Sequence, residues 1–236
     1  MTALRLDRIL SNLGYATRSE ARGLLQAGRV AVDGRIERSP NAKAEPRTVS
    51  LDGEPLESPD GLFVAFHKPV GYVSSHDDRD GARLWELLPE RWLARNPKPT
   101  TVGRLDKDSS GLLLLTDLHP LVHALMSPRH HVPKRYDIVL ERDVDDREQL
   151  TAAFASGELM LRGDDTPCLP AELRVVDKNR CEVVLTEGRH RQVRRMFGAC
   201  GYRVAELHRT AVGPYQLGDL APGAWRAEDP TLVKGG

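Results

Sequence analysis

Four consecutive leucines, Leu112 to Leu115, form a strongly apolar run, and they are flanked on both sides by polar and turn-forming residues. A bilayer span needs about 20 apolar residues, so the run reads instead as a buried strand. On its N-terminal side stands Gly103-Arg104-Leu105-Asp106-Lys107-Asp108-Ser109-Ser110-Gly111, and Thr116-Asp117 closes it on the other. A short polar loop leading into a buried strand is a common seat for chemistry. Asp106 and Asp108 could hold a divalent cation, but two acids without a third ligand make a weak metal signal. Ser109 and Ser110 lack the Gly-x-Ser-x-Gly spacing of an acyl-transfer nucleophile. A loop whose acids merely cap backbone N–H groups is the bland alternative.

Other strand-like runs follow the same short pattern at Leu62–Phe66, Tyr136–Leu140, Leu173–Val176, Cys181–Leu185 and Arg203–Leu207. They mix with a few helical segments and lack regular βαβ alternation, which predicts an α+β fold with a largely antiparallel sheet. The first 51 residues read differently. Leu6, Ile9, Leu10 and Leu13 form the stripe of a short helix stopped by Gly14, and Thr17-Arg18-Ser19-Glu20 has capping-box spacing for a second helix ending at Gly28. Val30, Val32, Asp33-Gly34 and Ile36 then predict a hairpin. Residues 52–61, rich in Pro, Gly and acids, have the composition of a linker. The expected organisation is a small helical module over 1–51, the linker, and a larger domain over 62–236.

Formal net charge is zero, with 34 basic and 34 acidic residues, but the charges are segregated. The stretches 1–48 and 186–209 are each basic by +4, and 137–165 is acidic by −6. Local basic patches matter more than the sum for nucleic-acid contact. Arg18 and Arg22 stand one turn apart on the second helix, a repulsion that a phosphate backbone would relieve; a solvated face is the plain alternative. Around Arg194, the residues Val193, Met196, Phe197 and Cys200 fall on one helical stripe, Arg191 and Arg195 point the opposite way, and Arg194 lies on the border, able to turn toward a pocket. His119 and His123 have i, i+4 spacing without a third metal ligand. Three cysteines without a Cys-x-x-Cys pair encode neither a disulfide framework nor a thiolate zinc site. No phosphate loop or dinucleotide fingerprint is present, so neither a cofactor nor a metal is expected. The charged start at Arg5, Asp7 and Arg8 is unlike a signal peptide, and a cytoplasmic protein with no membrane partner is expected.

Leu4 to Leu10, Ser19-Glu20-Ala21-Arg22 and Gly28-Arg29-Val30-Ala31-Val32-Asp33-Gly34 together resemble the small alpha-L RNA-binding module shared by a small-subunit ribosomal protein and several RNA-modifying enzymes. Gly103-Arg104-Leu105-Asp106, with Ser-Gly-Leu-Leu-Leu-Leu-Thr downstream, resembles the motif of the pseudouridine synthases, in the branch that modifies single uridines of ribosomal RNA. His67-Lys68-Pro69-x-Gly71-Tyr72, Lys134-Arg135-Tyr136 and Glu187 to Phe197 stand in the order of that family. The resemblance implies a cofactor-independent synthase with a mixed, mainly antiparallel sheet flanked by helices. It implies Asp106 as the essential carboxylate, Tyr136 as the ring stacked on the flipped base, Arg194 as the cation paired with Asp106, and Leu207 as a wall of the uracil pocket. Arg104, Arg18, Arg22, Arg191 and Arg195 are expected to contact RNA. Stretches from Lys68 to Asp78, Ser127 to His131, Glu206 to Arg209 and Asp219 to Gly223 look closer to the small-subunit members. That likeness implies uridine 516 of 16S rRNA as the target, in free rRNA or in a small-subunit assembly intermediate, and the protein is taken as a monomer. A 23S target, or a non-catalytic RNA-binding or assembly factor, remains the alternative.

Overall fold

The computed structural model describes residues 3–75 and 81–233, so His76, Asp77 and Asp78 lie outside the described residues. The chain divides into two compact units, one of residues 1–63, 85–100 and 115–119, the other of 64–84, 101–114 and 120–236.

In the first unit, strand β1 (Leu4–Arg5) leads into helices α1 (Leu6–Asn12) and α2 (Arg18–Gln26). The expected stripe of Leu6, Ile9, Leu10 and Leu13 is buried, packed with Ala21, Leu25, Val30 and Val49; each buried leucine contributes on the order of 2 kcal/mol. The capping box forms at the start of α2. Glu20 N–H donates to Thr17 Oγ1 at 3.3 Å, and Thr17 N–H to the Glu20 carboxylate at 2.8 Å. Strands β2 (Val30–Val32) and β3 (Arg35–Ile36) make the hairpin, with Asp33 and Gly34 both at positive φ as a type I′ turn requires. β4 (Lys43–Ala44) pairs with β1, and β5 (Val49–Leu51) and β6 (Glu54–Pro55) extend the hairpin into an antiparallel sheet of order β3-β2-β5-β6.

Residues 52–61, read as a linker, are therefore packed chain. Leu56 is buried in the core, Glu57 N–H donates to Tyr15 Oη at 2.7 Å, and the Glu57 carboxylate accepts from Trp92 Nε1 and pairs with Arg91. The glycines and acids there supply tight turns, at Asp52, Gly53, Ser58 and Gly61 with positive φ. Helix α3 (Glu90–Leu93) lies in the inserted segment 85–100. Gly14 cannot carry a side chain, because a Cβ would stand 2.2 Å from the Arg91 carbonyl oxygen. Asp117, from the end of the leucine motif, is buried against Arg95 at 2.7 Å and accepts the Leu62 N–H at 2.7 Å.

The second unit is built on a nine-stranded sheet of order β11-β12-β10-β13-β9-β7-β15, with β14 paired to β13 and β8 to β9. In chain order these are β7 (Phe63–Lys68), β8 (Thr100–Val102), β9 (Ser110–Thr116), β10 (Lys134–Leu140), β11 (Glu172–Val175), β12 (Arg180–Leu185), β13 (Val204–Val212), β14 (Tyr215–Gln216) and β15 (Trp225–Ala227). Helices α4 (His119–Met126), α5 (Arg147–Ala155) and α6 (Gln192–Ala199) complete an α+β architecture. All six residues of β7 and all four leucines of β9 are buried, as expected of strands inside a sheet. Asp146 caps α5 by accepting the Gln149 N–H, and Phe154 of α5 packs on Phe197 of α6 with ring centroids 4.9 Å apart. β13 runs antiparallel to β10 and parallel to β9. No helix among the described residues is long and apolar enough to cross a membrane.

Candidate active site

A cleft of about 340 Å³ in the second unit is lined by the Gly103–Asp106 loop, by Lys134 and Tyr136 of β10, by the 187–194 segment, and by Leu207 and Arg209 of β13. Strand alternation explains the membership. Lys134, Tyr136, Ile138 and Leu140 share the buried face of β10, and Tyr136 stands directly across from Arg209. Thr210 is an extra residue in β13 at that point, a bulge that re-aims the neighbouring side chains. Tyr136 and Leu207 are 8% and 7% exposed, so ring and isobutyl group form an apolar wall.

The loop carrying Asp106 is tied down through its backbone. Lys68, fully buried on β7, donates from Nζ to the carbonyl oxygens of Pro69, Asp106 and Ser109 at 3.1, 2.9 and 2.7 Å. Burial depresses its ammonium to about 8, against the upward pull of Asp106 and Asp108. Ser74 Oγ donates to the Leu105 carbonyl at 3.0 Å, and Gly71 N–H to that of Lys107 at 2.8 Å. These anchors leave the Asp106 carboxylate partly exposed at the cleft edge.

Its expected partnership with Arg194 does not form. Arg194 Nη2 donates to the Asp108 carbonyl at 3.0 Å and lies 3.3 Å from the Asp108 carboxylate, while Nη1 donates to the Val204 carbonyl at 2.8 Å. Among the described residues the guanidinium beside the Asp106 carboxylate is that of Arg191, whose Nε is 3.8 Å away and whose Nη2 bonds Asp108 at 2.9 Å. The reason is where the helix begins. Arg191 adopts φ +49 as the N-cap of α6, so it leaves the helical wheel and swings toward the loop, while Arg194 in the first turn is drawn to two carbonyls. Burial pushes the Asp108 carboxyl up, and the Arg194 and Arg191 guanidiniums overcome that and hold it below its ordinary value.

Arg195, expected to face solvent or phosphate, is paired with Asp164 and also donates to the Arg162 carbonyl. Asp164 takes Arg189 as well, at 3.0 Å, and Arg189 reaches Glu187 at 3.1 Å. This network fixes the 187–195 segment that lines the cleft. Arg104 is exposed and stands on the rim, while its carbonyl accepts from Arg209 Nη1 at 3.3 Å. Arg18 and Arg22 are exposed on α2 of the first unit and make no ion pair among the described residues. His119 and His123 fall on α4, and the described residues contain no group of three or more His, Cys, Asp or Glu able to hold a metal.

Sequence reasoning assigned no role to Lys68, Lys134 or Arg209, although each stands within a motif it singled out. Charged residues inside an apparent strand signal such sites, because a strand covered on both faces must bury them.

Residues 62–199 match the RNA pseudouridylate synthase family, and residues 4–59 match the S4 domain. The ribosomal small subunit pseudouridine synthase A of Pasteurella multocida is 37% identical over 227 residues, covering 95% of both chains. The like-named protein of Escherichia coli K12 is 38% identical over 228 residues, 94% of this chain and 95% of that one. An uncharacterised RNA pseudouridine synthase of Bacillus subtilis is 34% identical over 228 residues, 94% of each chain. Among solved structures, a pseudouridylate synthase superposes with TM-score 0.66 at 32% identity, covering 98% of each chain.

Proposed function

Because the chain belongs to the RNA pseudouridylate synthase family, we propose that it isomerises one uridine of small-subunit ribosomal RNA, uridine 516 of 16S rRNA, to pseudouridine in the cleft beside Asp106. The observation that carries the reading is the placement of an accessible carboxylate, Asp106, at the mouth of a cleft walled by Tyr136 and Leu207.

The reaction breaks the N1–C1′ bond, turns the uracil and joins C5 to C1′, with the C5 proton lost and a proton gained at N1. The Asp106 carboxylate is the group to attack C1′ or take a proton from the ribose, with the Arg191 guanidinium 3.8 Å from it. A base inside an RNA stack is out of reach, so the uridine must flip out, and the Tyr136 ring compensates part of the lost stacking. Leu207, on the neighbouring strand, extends the same apolar wall beside the base. The S4 module over residues 4–59 docks structured RNA through Arg18 and Arg22, and the protein works as a cytoplasmic monomer without a cofactor, on free 16S rRNA or on a small-subunit assembly intermediate.

Mapping pseudouridine in unmodified 16S and 23S rRNA, free and in partly assembled particles, tests this. One new site at uridine 516 that disappears with Asp106→Asn is the expected result. A site in 23S rRNA overturns the substrate, and no site in either overturns the reading as a whole.

A further inference from the structure

Two cations in the wall of the cleft have no acid within ion-pair distance among the described residues. Arg209 is 3% exposed and Lys134 is 6% exposed, and neither forms an ion pair among the described residues. Arg209 spends Nε on the Leu112 carbonyl at 2.8 Å and Nη1 on that of Arg104, while its Nη2 is buried without a hydrogen-bond partner. Lys134 donates to the Val132 carbonyl at 3.0 Å and to no other acceptor among the described residues. Burial lowers the Lys134 ammonium below its ordinary value, and Arg209 lowers it further. Burying a charge without a counter-ion is costly, and burying two of the same sign in one wall adds repulsion. An anion in the cleft would offset both costs.

We propose that Arg209 and Lys134 form an electrostatic wall that stabilises the uracil as it leaves C1′ with the bonding electron pair. The inference rests on the reading of the cleft as the uridine site. When N1–C1′ breaks, the electron pair goes to N1 and spreads onto O2 and O4 of the base, so a neutral ring becomes an anion. It is discharged once C5 bonds to C1′, the C5 proton departs and N1 is protonated. Fixed positive charge that meets this anion in a site shielded from water lowers the barrier without tightening ground-state binding. Tyr136 stands directly opposite Arg209 across the β10–β13 pair, so the wall is adjacent to the residue on which the base would stack. The competing anion is the RNA phosphodiester, which is charged before and after reaction alike. A wall built for phosphate would act on affinity, and one built for the leaving base on the chemical step.

The test is single-turnover conversion of the target RNA by Arg209→Gln, Lys134→Gln and Arg209→Lys, each with its RNA dissociation constant measured. The same set is run on RNA carrying 5-fluorouridine at the target, whose base is a better leaving group, by following loss of the N-glycoside. The Gln variants are expected to slow uridine conversion by about 10- to 100-fold with affinity unchanged, and to slow the fluorinated substrate by only about threefold. Arg209→Lys, which keeps the charge, should recover most of the rate. Equal losses on both substrates, or losses explained by weaker RNA binding, overturn the proposal. Should Arg209→Gln not fold, Lys134→Gln decides the same question. Failure of the underlying reading looks different: wild-type protein then leaves both RNAs unchanged, or Asp106→Asn remains active.

Discussion

Gly111 faces Arg209 across the parallel pair of β9 and β13, at φ +107, so close that a Cβ at position 111 would fall 2.2 Å from the Arg209 carbonyl oxygen and 2.6 Å from its nitrogen. The obstacle is backbone, which cannot rotate away as a flexible side chain does. Gly111→Ala is expected to cost about 2–4 kcal/mol through strained φ and strand separation, and to lower turnover by displacing Arg209. Urea unfolding reads the first effect and single-turnover kinetics the second. A variant as stable as the parent would show that the two strands can part freely.

Arg194 and Arg191 should separate into a structural and a functional residue. Arg194 is 14% exposed at its side chain and donates to two carbonyls as well as pairing with Asp108. Arg194→Met is expected to destabilise the fold by about 2 kcal/mol, the scale of lost charged hydrogen bonds in a mostly buried place. Arg191 is 41% exposed and faces Asp106, so Arg191→Met should leave the unfolding midpoint almost unchanged while reducing the single-turnover rate. The reverse pattern would restore Arg194 to the partnership with Asp106 expected from the sequence.

Lys68 makes a pH prediction. Its ammonium sits at about 8 in the fold and near 10.5 when the chain is open. Between those values the unfolded state holds more protons, so stability from this group rises as pH increases from 8 to 10.5. Below pH 8 both states are protonated and the burial cost is carried in full. The Lys68→Met variant should lack this rise, which amounts to about 3 kcal/mol across the window. Unfolding free energies of both proteins at pH 7.5, 9 and 10.5 check the difference; parallel curves would mean that Lys68 titrates normally.

For the first unit, Arg18→Ala with Arg22→Ala should leave stability within about 0.5 kcal/mol, since both side chains are exposed and unpaired among the described residues. The slope of log affinity for rRNA against log salt should fall by about 1 to 2 if both meet phosphate. An unaltered slope would assign them to a solvated face.

Much of this was legible beforehand, and the exceptions have physical causes. Leu6, Ile9, Leu10 and Leu13, the Thr17–Glu20 box and the Asp33-Gly34 turn are local signals, and local hydrogen bonding and burial fixed them as expected. The Asp106 loop was visible as polar residues abutting four leucines. What the helical wheel around Arg194 missed is one left-handed residue: Arg191 at φ +49 starts the helix a position later than its period suggests and exchanges the two arginines' partners. Composition misjudged 52–61 because turn residues that pack look like turn residues that do not. Arg209 was hidden because the His-Arg-Thr stretch of β13 reads as exposed, whereas its burial is decided by β9 and β10 on either side.

The contact between β9 and β13 also sets an order of assembly in time. Ser110 Oγ meets His208 Nδ1 at 2.8 Å across 98 residues of sequence, and the cleft needs both neighbouring strands. During synthesis the Asp106 loop leaves the ribosome long before Leu207 and Arg209 exist, and closing so long a loop is slow compared with local helix and hairpin formation. A nascent or truncated chain ending before Val204 therefore carries Asp106 without Leu207 and Arg209, which complete the lining of its cleft. On the proposed reading, synthesis of β13 becomes the event that arms the cleft, because only then are both of its walls present.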